Sequence, residues 1–299
     1  MRIAPHHREF GNIIVTKLQG GLGNILFQYL AGLALAERHG CPLYCAQDGG
    51  VLHHSGLELV GVEPQYIDLP SSLMRRSRRK KDKRLTDHVN TMLDLWPLKP
   101  CTEPHFHYWP EFESLPTGIL LSGYWQSPRY FARLKDRLLD IVKLGAILDS
   151  CDQGLVSQLR RQETVSVHIR RGDFQNNPEA KAIHGILDKD YYDRARYQLE
   201  RGHTSHIYCV FSDAPEEAKN MLSDWDNTLF ICGNSQQQDL ALMSCCDHNI
   251  IANSSFSWWG AMLNTNPAKQ VITPKQWFTV QALKSRSVKD LVPDTWSRV

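Results

Sequence analysis

The residues best suited to chemistry lie in the run His168-Ile169-Arg170-Arg171-Gly172-Asp173, which closes an apolar stretch. Two adjacent arginines offer forked N–H donors that match phosphate oxygens. Gly172 lets the backbone turn sharply. The same residues also describe a solvated loop in which Arg171 and Asp173 pair with each other. A second run, Asn253-Ser254-Ser255-Phe256, precedes Ser257-Trp258-Trp259-Gly260. Asn and Ser are strong helix N-caps, and the free amides and dipole of a helix start attract anions. Capping alone, with both tryptophans in a core, is the plainer reading of that run.

Two further groups are weaker. Gly20-Gly21-Leu22-Gly23-Asn24 departs from G-x-G-x-x-G, so a dinucleotide site does not follow from it. Its glycines either make a tight turn or let the backbone approach a sugar. Phe211-Ser212-Asp213 ends an apolar run, where the carboxylate suits either the N–H groups of a guanine or the N-cap of a helix starting Ala214-Pro215-Glu216-Glu217. Asp224-Trp225-Asp226 and Asp188-Lys189-Asp190 match D-x-D, a metal–sugar-nucleotide motif short enough to arise by chance. His105 and His107 lack a nearby third ligand, so no metal site is expected.

These groups need elements to hold them. Ile13–Leu18 reads as a strand, residues 19–24 as a turn, and Ile25–His39 as a helix with Leu26, Tyr29, Leu30, Leu33 and Ala36 on one side, stopped at Gly40. Pro42–Ala46 reads as the next strand. Residues 47–115 carry no clear period. Ile119–Trp125 reads as a strand, and 129–145 and 151–162 as helices. From Thr164 the alternation is regular: strands at Val165–Ile169, Ile207–Phe211, Thr228–Cys232, Asn249–Ala252 and Gln270–Thr273. Helices fall between them at 190–201, 214–222, 237–246 and, after Asn253-Ser254-Ser255, through Leu263. Such alternation predicts parallel sheets covered by helices, with ligands at the carboxyl ends of the strands. The polar runs fall at those ends.

The 299 residues fit two domains, expected to divide at 160: residues 1–160 and 161–299. Net charge is +2, but residues 75–84 alone carry +7, which leaves −5 elsewhere. One local basic run is not the spread surface of a nucleic-acid binder, so no nucleic-acid partner is expected. No stretch reaches the roughly 20 apolar residues of a membrane span, and MRIAPHHREF lacks the apolar core of a signal peptide. None of the eight cysteines forms C-x-x-C. Cys209 and Cys232 sit in apolar strand-like runs, where thiols pack as small hydrophobes. A cytoplasmic protein with reduced thiols is expected.

Together the motifs resemble the α-1,2-fucosyltransferase family. The resemblance is carried by Gly20–Asn24 with Phe27-Gln28-Tyr29, by His168–Asp173, by Phe211-Ser212-Asp213 and by the long block Leu242–Gly260, in the family's order. It implies an α/β protein of GT-B type, two Rossmann-like domains facing across a cleft, with the acceptor on the first and the donor on the second. It implies an inverting, metal-independent transfer of L-fucose from GDP-β-L-fucose to the 2-hydroxyl of a terminal β-galactoside. GDP-fucose is then a substrate, a galactose-terminated oligosaccharide is the acceptor, and no cofactor is required. Arg170 and Arg171 are expected to stabilise the leaving diphosphate. Asp173 is expected either to take the acceptor proton or to orient its own arginine loop. Donor contacts are expected at Gly21, Gly23, Asn24, His168, Ser212, Asp213, Asn253, Ser254, Ser255 and Phe256. Ala214 stands where the family often has a second Asp, so Asp213 is the only carboxylate of that strand end. A protein O-fucosyltransferase, a transferase of another GDP-sugar, and a carbohydrate-binding module stacking sugars on its tryptophans are the competing readings.

Overall fold

The computed structural model describes residues 9–47, 56–69, 98–172, 178–201 and 206–299. Asp173, His53, His54 and the basic run 75–84 lie outside the described residues. The chain forms two compact units, Met1–Arg137 and Leu138–Val299.

The first unit holds β1 (Ile14–Leu18), α1 (Leu22–His39), β2 (Leu43–Gln47), β3 (Lys99–Thr102) and β4 (Ile119–Ser122). All four strands are parallel, in the order β2-β1-β4-β3. Parallel strands are covered on both faces; β1 and β4 are buried throughout, Thr16, Lys17 and Ser122 included. Gly32 brings α1 down onto the sheet, since a Cβ there would stand 2.9 Å from Leu43 Cδ1 and 3.1 Å from Thr16 Cβ. Gly40 stops α1 in the left-handed conformation, φ 62°, as its position predicts. The strand β3 escaped sequence reading because it carries Pro100 and is mostly exposed, features of the sheet edge it occupies.

The second unit begins with α2 (Leu138–Ile141), α3 (Leu144–Asp149) and α4 (Gln153–Arg161). These helices begin before residue 160, yet they belong to the second unit. Val156 and Leu159 of α4 share a core with Phe211, Leu242 and Met243, and Ser150 O accepts the Gln238 side chain at 2.9 Å. The helix expected over 129–145 is broken. A 3-10 stretch over Pro128–Arg137 is interrupted at non-helical Phe131, and α2 and α3 follow as separate short helices.

The remainder alternates: β5 (Thr164–Ile169), α5 (Pro178–His184), α6 (Lys189–Leu199), β6 (Ile207–Ser212), α7 (Pro215–Met221), β7 (Thr228–Ile231), α8 (Gln236–Cys245), β8 (His248–Ile250), α9 (Ser255–Leu263), β9 (Val271–Thr273), α10 (Val280–Leu283) and β10 (Ser297–Arg298). The parallel sheet runs β10-β9-β8-β5-β6-β7, which from its far edge is the 3-2-1-4-5-6 order of a doubly wound Rossmann sheet. Side chains of β5 alternate between two cores. Val165, Val167 and Ile169 pack with Tyr191, Tyr192 and Leu199 of α6. Ser166 instead accepts Asn249 Nδ2 at 2.7 Å. Two Rossmann-like α/β units in one chain are the parts of the GT-B fold that the sequence implied.

The eight cysteines all lie in the described residues and form no disulfide. Cys209 is buried as expected. Cys232 is not: it falls one residue beyond β7 and is exposed. An apolar run does not reveal where the strand stops.

Candidate active site

Strand order in the second unit reverses between β5 and β8, which opens a crevice at their carboxyl ends. Arg170, Arg171 and Gly172 leave β5 there. The β5–β6 register sets Ile169 beside Ser212, so Asp213 meets the arginine loop directly. Its Oδ1 accepts the Arg171 amide at 2.8 Å and its Oδ2 the Gly172 amide at 3.0 Å. Oδ2 also pairs with Arg170 Nη1 at 3.1 Å. Gly172 is required by this clamp, because a Cβ would stand 3.0 Å from Asp213 Oδ2. Asp213 therefore does not cap α7; the cap residue is Ala214, whose amide is held by Ser212 Oγ at 3.0 Å. Ser212 is thus tied to its own turn.

The other wall follows β8. The register Val167↔Ile250 sets the end of β8 beside β5, and Asn253 and Ser254 follow that end in the chain. Ser254 caps α9, accepting the Phe256 amide at 3.3 Å, and Ser255 is the first residue of that helix. Asn253 is buried, and its Nδ2 donates to His184 O at 2.7 Å and Trp277 O at 3.2 Å. It joins the end of α5 to the loop before α10. Trp258 and Trp259 are core residues, with Trp258 Nε1 bonded to Leu291 O at 2.8 Å; neither offers a stacking surface.

His168 and Phe256 link the two walls, their rings 5.7 Å apart. The His168 carbonyl accepts Tyr192 Oη at 3.1 Å, while its buried Nδ1 has no hydrogen-bond partner among the described residues. Burial first, then the Arg170 charge, push its imidazole down to about 3, so the ring is neutral at pH 7. His184 was missed by sequence reading. Burial and the charges of Arg286 and Arg170 push it down to about 4, which sets it among the cations of this site. Nothing local marks it, as it sits on a helix with no motif.

In the first unit Gly20 takes φ 87°, and a Cβ there would stand 2.6 Å from Asn24 Nδ2. The turn is wrapped around the Asn24 side chain. Gly21 precedes α1 with nothing within 4 Å of its missing Cβ, and Gly23 is buried in the first turn. Asn24 Oδ1 accepts Gln126 Nε2 at 2.7 Å.

The D-x-D segments have structural work. Asp188 caps α6 through the Tyr191 amide at 3.1 Å, and Asp224 pairs with Lys189 at 3.0 Å. The His105 and His107 rings stack 3.6 Å apart. Among the described residues, Glu163, His206 and His248 bring possible metal ligands within 4.8 Å, at the amino ends of β5, β6 and β8. His248 Nδ1 accepts the Gln270 amide at 3.0 Å. Its proton is therefore on Nε2, facing Glu163 Oε1 at 3.3 Å. That tautomer has no lone pair to give an ion, so the trio reads as a strut between strand starts. Among the described residues no helix is long and apolar enough to cross a membrane.

A family profile described as Glycosyl transferase family 11 matches residues 85–293. An "Alpha-1,2-colitosyltransferase" of Escherichia coli is 33% identical over 296 residues, 96% of this chain and 99% of that one. The "O-antigen biosynthesis glycosyltransferase WbnK" of Escherichia coli is 30% identical, over 93% of this chain and 98% of its own. A "Galactoside 2-alpha-L-fucosyltransferase SEC1" of Bos taurus is 24% identical, over 87% of this chain and 66% of its own.

Proposed function

Since the chain belongs to glycosyl transferase family 11, we propose that it moves L-fucose from GDP-β-L-fucose to the 2-hydroxyl of a terminal β-galactoside, with inversion and without a metal. One observation carries this reading. A two-arginine loop, clamped by Asp213, lies across the β5–β8 crevice from the capped start of α9. Forked cations beside the start of a helix suit a diphosphate.

Cleavage of the sugar C1–O bond leaves charge on the β-phosphate of GDP. Arg170 and Arg171 receive that charge, helped by Ser254, Ser255 and the amides of α9. Preorganised donors of this kind are worth about 3–4 kcal/mol each. Asp213 holds the loop in place, so the donors need no rearrangement as charge develops. His168, kept neutral, offers its unpartnered Nδ1 to the nucleotide, with Phe256 beside it. We assign to Asp173 the role of base that takes the acceptor's hydroxyl proton as oxygen attacks C1 and GDP departs. The second unit binds the donor, the first unit takes the galactose-terminated acceptor, and the reaction runs in the cytoplasm without nucleic acid.

A colitosyl donor is the second reading, favoured by the 33% identity to a protein named for colitosyl transfer. One experiment addresses both. Thermal shifts are measured with GDP, UDP, ADP and CMP in EDTA, followed by transfer assays with fucosyl and colitosyl donors and linkage analysis of the product. Selective stabilisation by GDP and a new α-1,2 bond support the proposal. Preference for another nucleotide, or activity lost to chelation, refutes it.

A further inference from the structure

The first unit holds a cavity of about 550 Å³ that no motif marks. It lies where the last turns of α1 meet the 3-10 stretch Pro128–Arg137 and a 3-10 turn at Pro110–Ser114. Leu35, Phe112 and Tyr130 form the buried, mostly apolar part of its lining. Arg38, Arg129, Arg133 and Glu113 form the more exposed part, so three guanidinium groups stand there with one carboxylate. Fourteen residues of α1 separate Asn24 from Arg38, about 21 Å along the helix axis. The cavity is therefore separate from the Gly20–Asn24 turn.

Local contacts hold each charged group in place. Glu113 Oε1 accepts the Tyr108 hydroxyl at 3.1 Å, and its Oε2 pairs with Arg38 Nη1 at 3.0 Å. The same Nη1 donates to the Glu113 carbonyl at 2.8 Å. Arg133 Nη1 donates to the Ala34 carbonyl of α1 at 3.3 Å. The Arg129 guanidinium lies 4.1 Å over the Tyr108 ring, and a ring face holds a cation in position. That ring is backed in turn by Tyr130, 4.9 Å away. A guanidinium carries five N–H donors. Among the described residues Arg38 and Arg133 each hydrogen-bond through Nη1 alone, so most of both forks is left for a ligand.

Charge and size select the ligand. Forked donors match phosphate and carboxylate oxygens alike. Several guanidinium groups around one concavity favour the more highly charged of the two, and a phosphate monoester carries about −1.5 to −2 at pH 7. Small-molecule sites run from about 300 to 1,000 Å³, and this cavity falls within that range. The phosphate then comes with an organic body, which rests on Leu35, Phe112 and Tyr130.

We propose that this cavity is a second anion site of the protein, where Arg38, Arg129 and Arg133 bind the phosphate of an organic phosphate monoester. The site stands apart from the transferase reading: a protein that moves no sugar can still bind phosphate here.

The test is calorimetry with glucose 1-phosphate on the full chain, with glucuronate as the carboxylate probe. All proteins carry Arg170→Ala, which weakens phosphate binding at the second unit's crevice. Loss of one charge-assisted contact in Arg133→Gln is expected to weaken glucose 1-phosphate about tenfold, and Arg133→Glu is expected to abolish its binding. Cosedimentation with phosphatidylcholine vesicles, with and without phosphatidic acid, distinguishes a lipid headgroup from a soluble ester. The basic run 75–84 can itself attract such vesicles, so the difference between Arg133 and Arg133→Glu proteins decides, rather than retention alone. Binding of the soluble ester that is lost in Arg133→Glu supports the proposal, as does phosphatidic acid retention lost in that variant. Tighter binding of glucuronate, binding of neither phosphate, or binding indifferent to both Arg133 variants overturns it. Arg133 is exposed, so its variants should keep the parent melting temperature; if they do not, Arg129→Gln takes their place under the same criteria.

Discussion

Asp213 and Arg170 form an ion pair of 3.1 Å at the carboxyl end of β5, with both side chains about a quarter exposed. The carboxylate that takes this guanidinium also takes the Arg171 and Gly172 amides. One Asp thereby fixes the side chain of one arginine and the backbone of the next. Two guanidinium groups thus stand beside the carboxylate of Asp213, an arrangement that suits the proposed diphosphate site.

Replacing Arg170 by Ala should lower kcat/KM by roughly two to three orders of magnitude, from the loss of one preorganised donor. Arg170→Lys should not restore it, because an ammonium cannot serve Asp213 and a phosphate in one fork. Asp213→Asn should raise the Kd for GDP and lower kcat together, since it loosens both arginines. Steady-state kinetics with GDP titrations check all three; near-wild-type turnover in Arg170→Ala removes the assignment.

Stability should depend on His168 in acid. Its folded value is about 3 against an ordinary 6.5, so between those values the unfolded chain binds the extra proton. Its contribution is complete above pH 6.5 and is lost as pH falls through that window. His184, at about 4, acts in the same direction. Melting temperatures of wild type and His168→Gln from pH 4 to 8 check this; the variant should lose less stability on acidification. Identical slopes would contradict a buried neutral imidazole.

Glu103 should act with the opposite sign. Its folded value is about 7 against 4.5, so within that window the folded state holds the extra proton. Stability from this group falls as pH rises from 4.5 to 7. Glu103→Gln should therefore lose less stability than wild type across that rise. The same melting series reads it, and a steeper fall in the variant would count against the raised carboxyl.

Ser254→Ala removes the cap bond to the Phe256 amide and should cost about 1 kcal/mol. It should also weaken GDP binding, because the first turn of α9 loses its fixed direction. Loss of stability with unchanged GDP affinity would show that the cap is structural only.

Much of this was legible in local pattern. The strand Val165–Ile169, the Gly40 stop, the polar strand end at 170–172 and the strand-to-helix run at 253–256 each announce an element or a turn through neighbours a few residues apart. The core role of Trp258 and Trp259 was likewise one of the two readings open. The edge strand β3 was hidden because its residues are exposed and include a proline. The end of β7 was misjudged at Cys232 because hydrophobicity continues where pairing stops.

By itself the sequence determined which residue types stand at which strand ends, because strand, turn and helix signals act over a few residues. Only the tertiary structure decided who meets whom. Asp213 reaches the Arg171 amide across 42 positions and Gln126 reaches Asn24 across 102. Asn253, expected at the ligand, donates its side-chain amide to His184 and Trp277. Such partnerships arise from sheet order and register, and two strands become neighbours through the packing of everything between them rather than through any signal either carries.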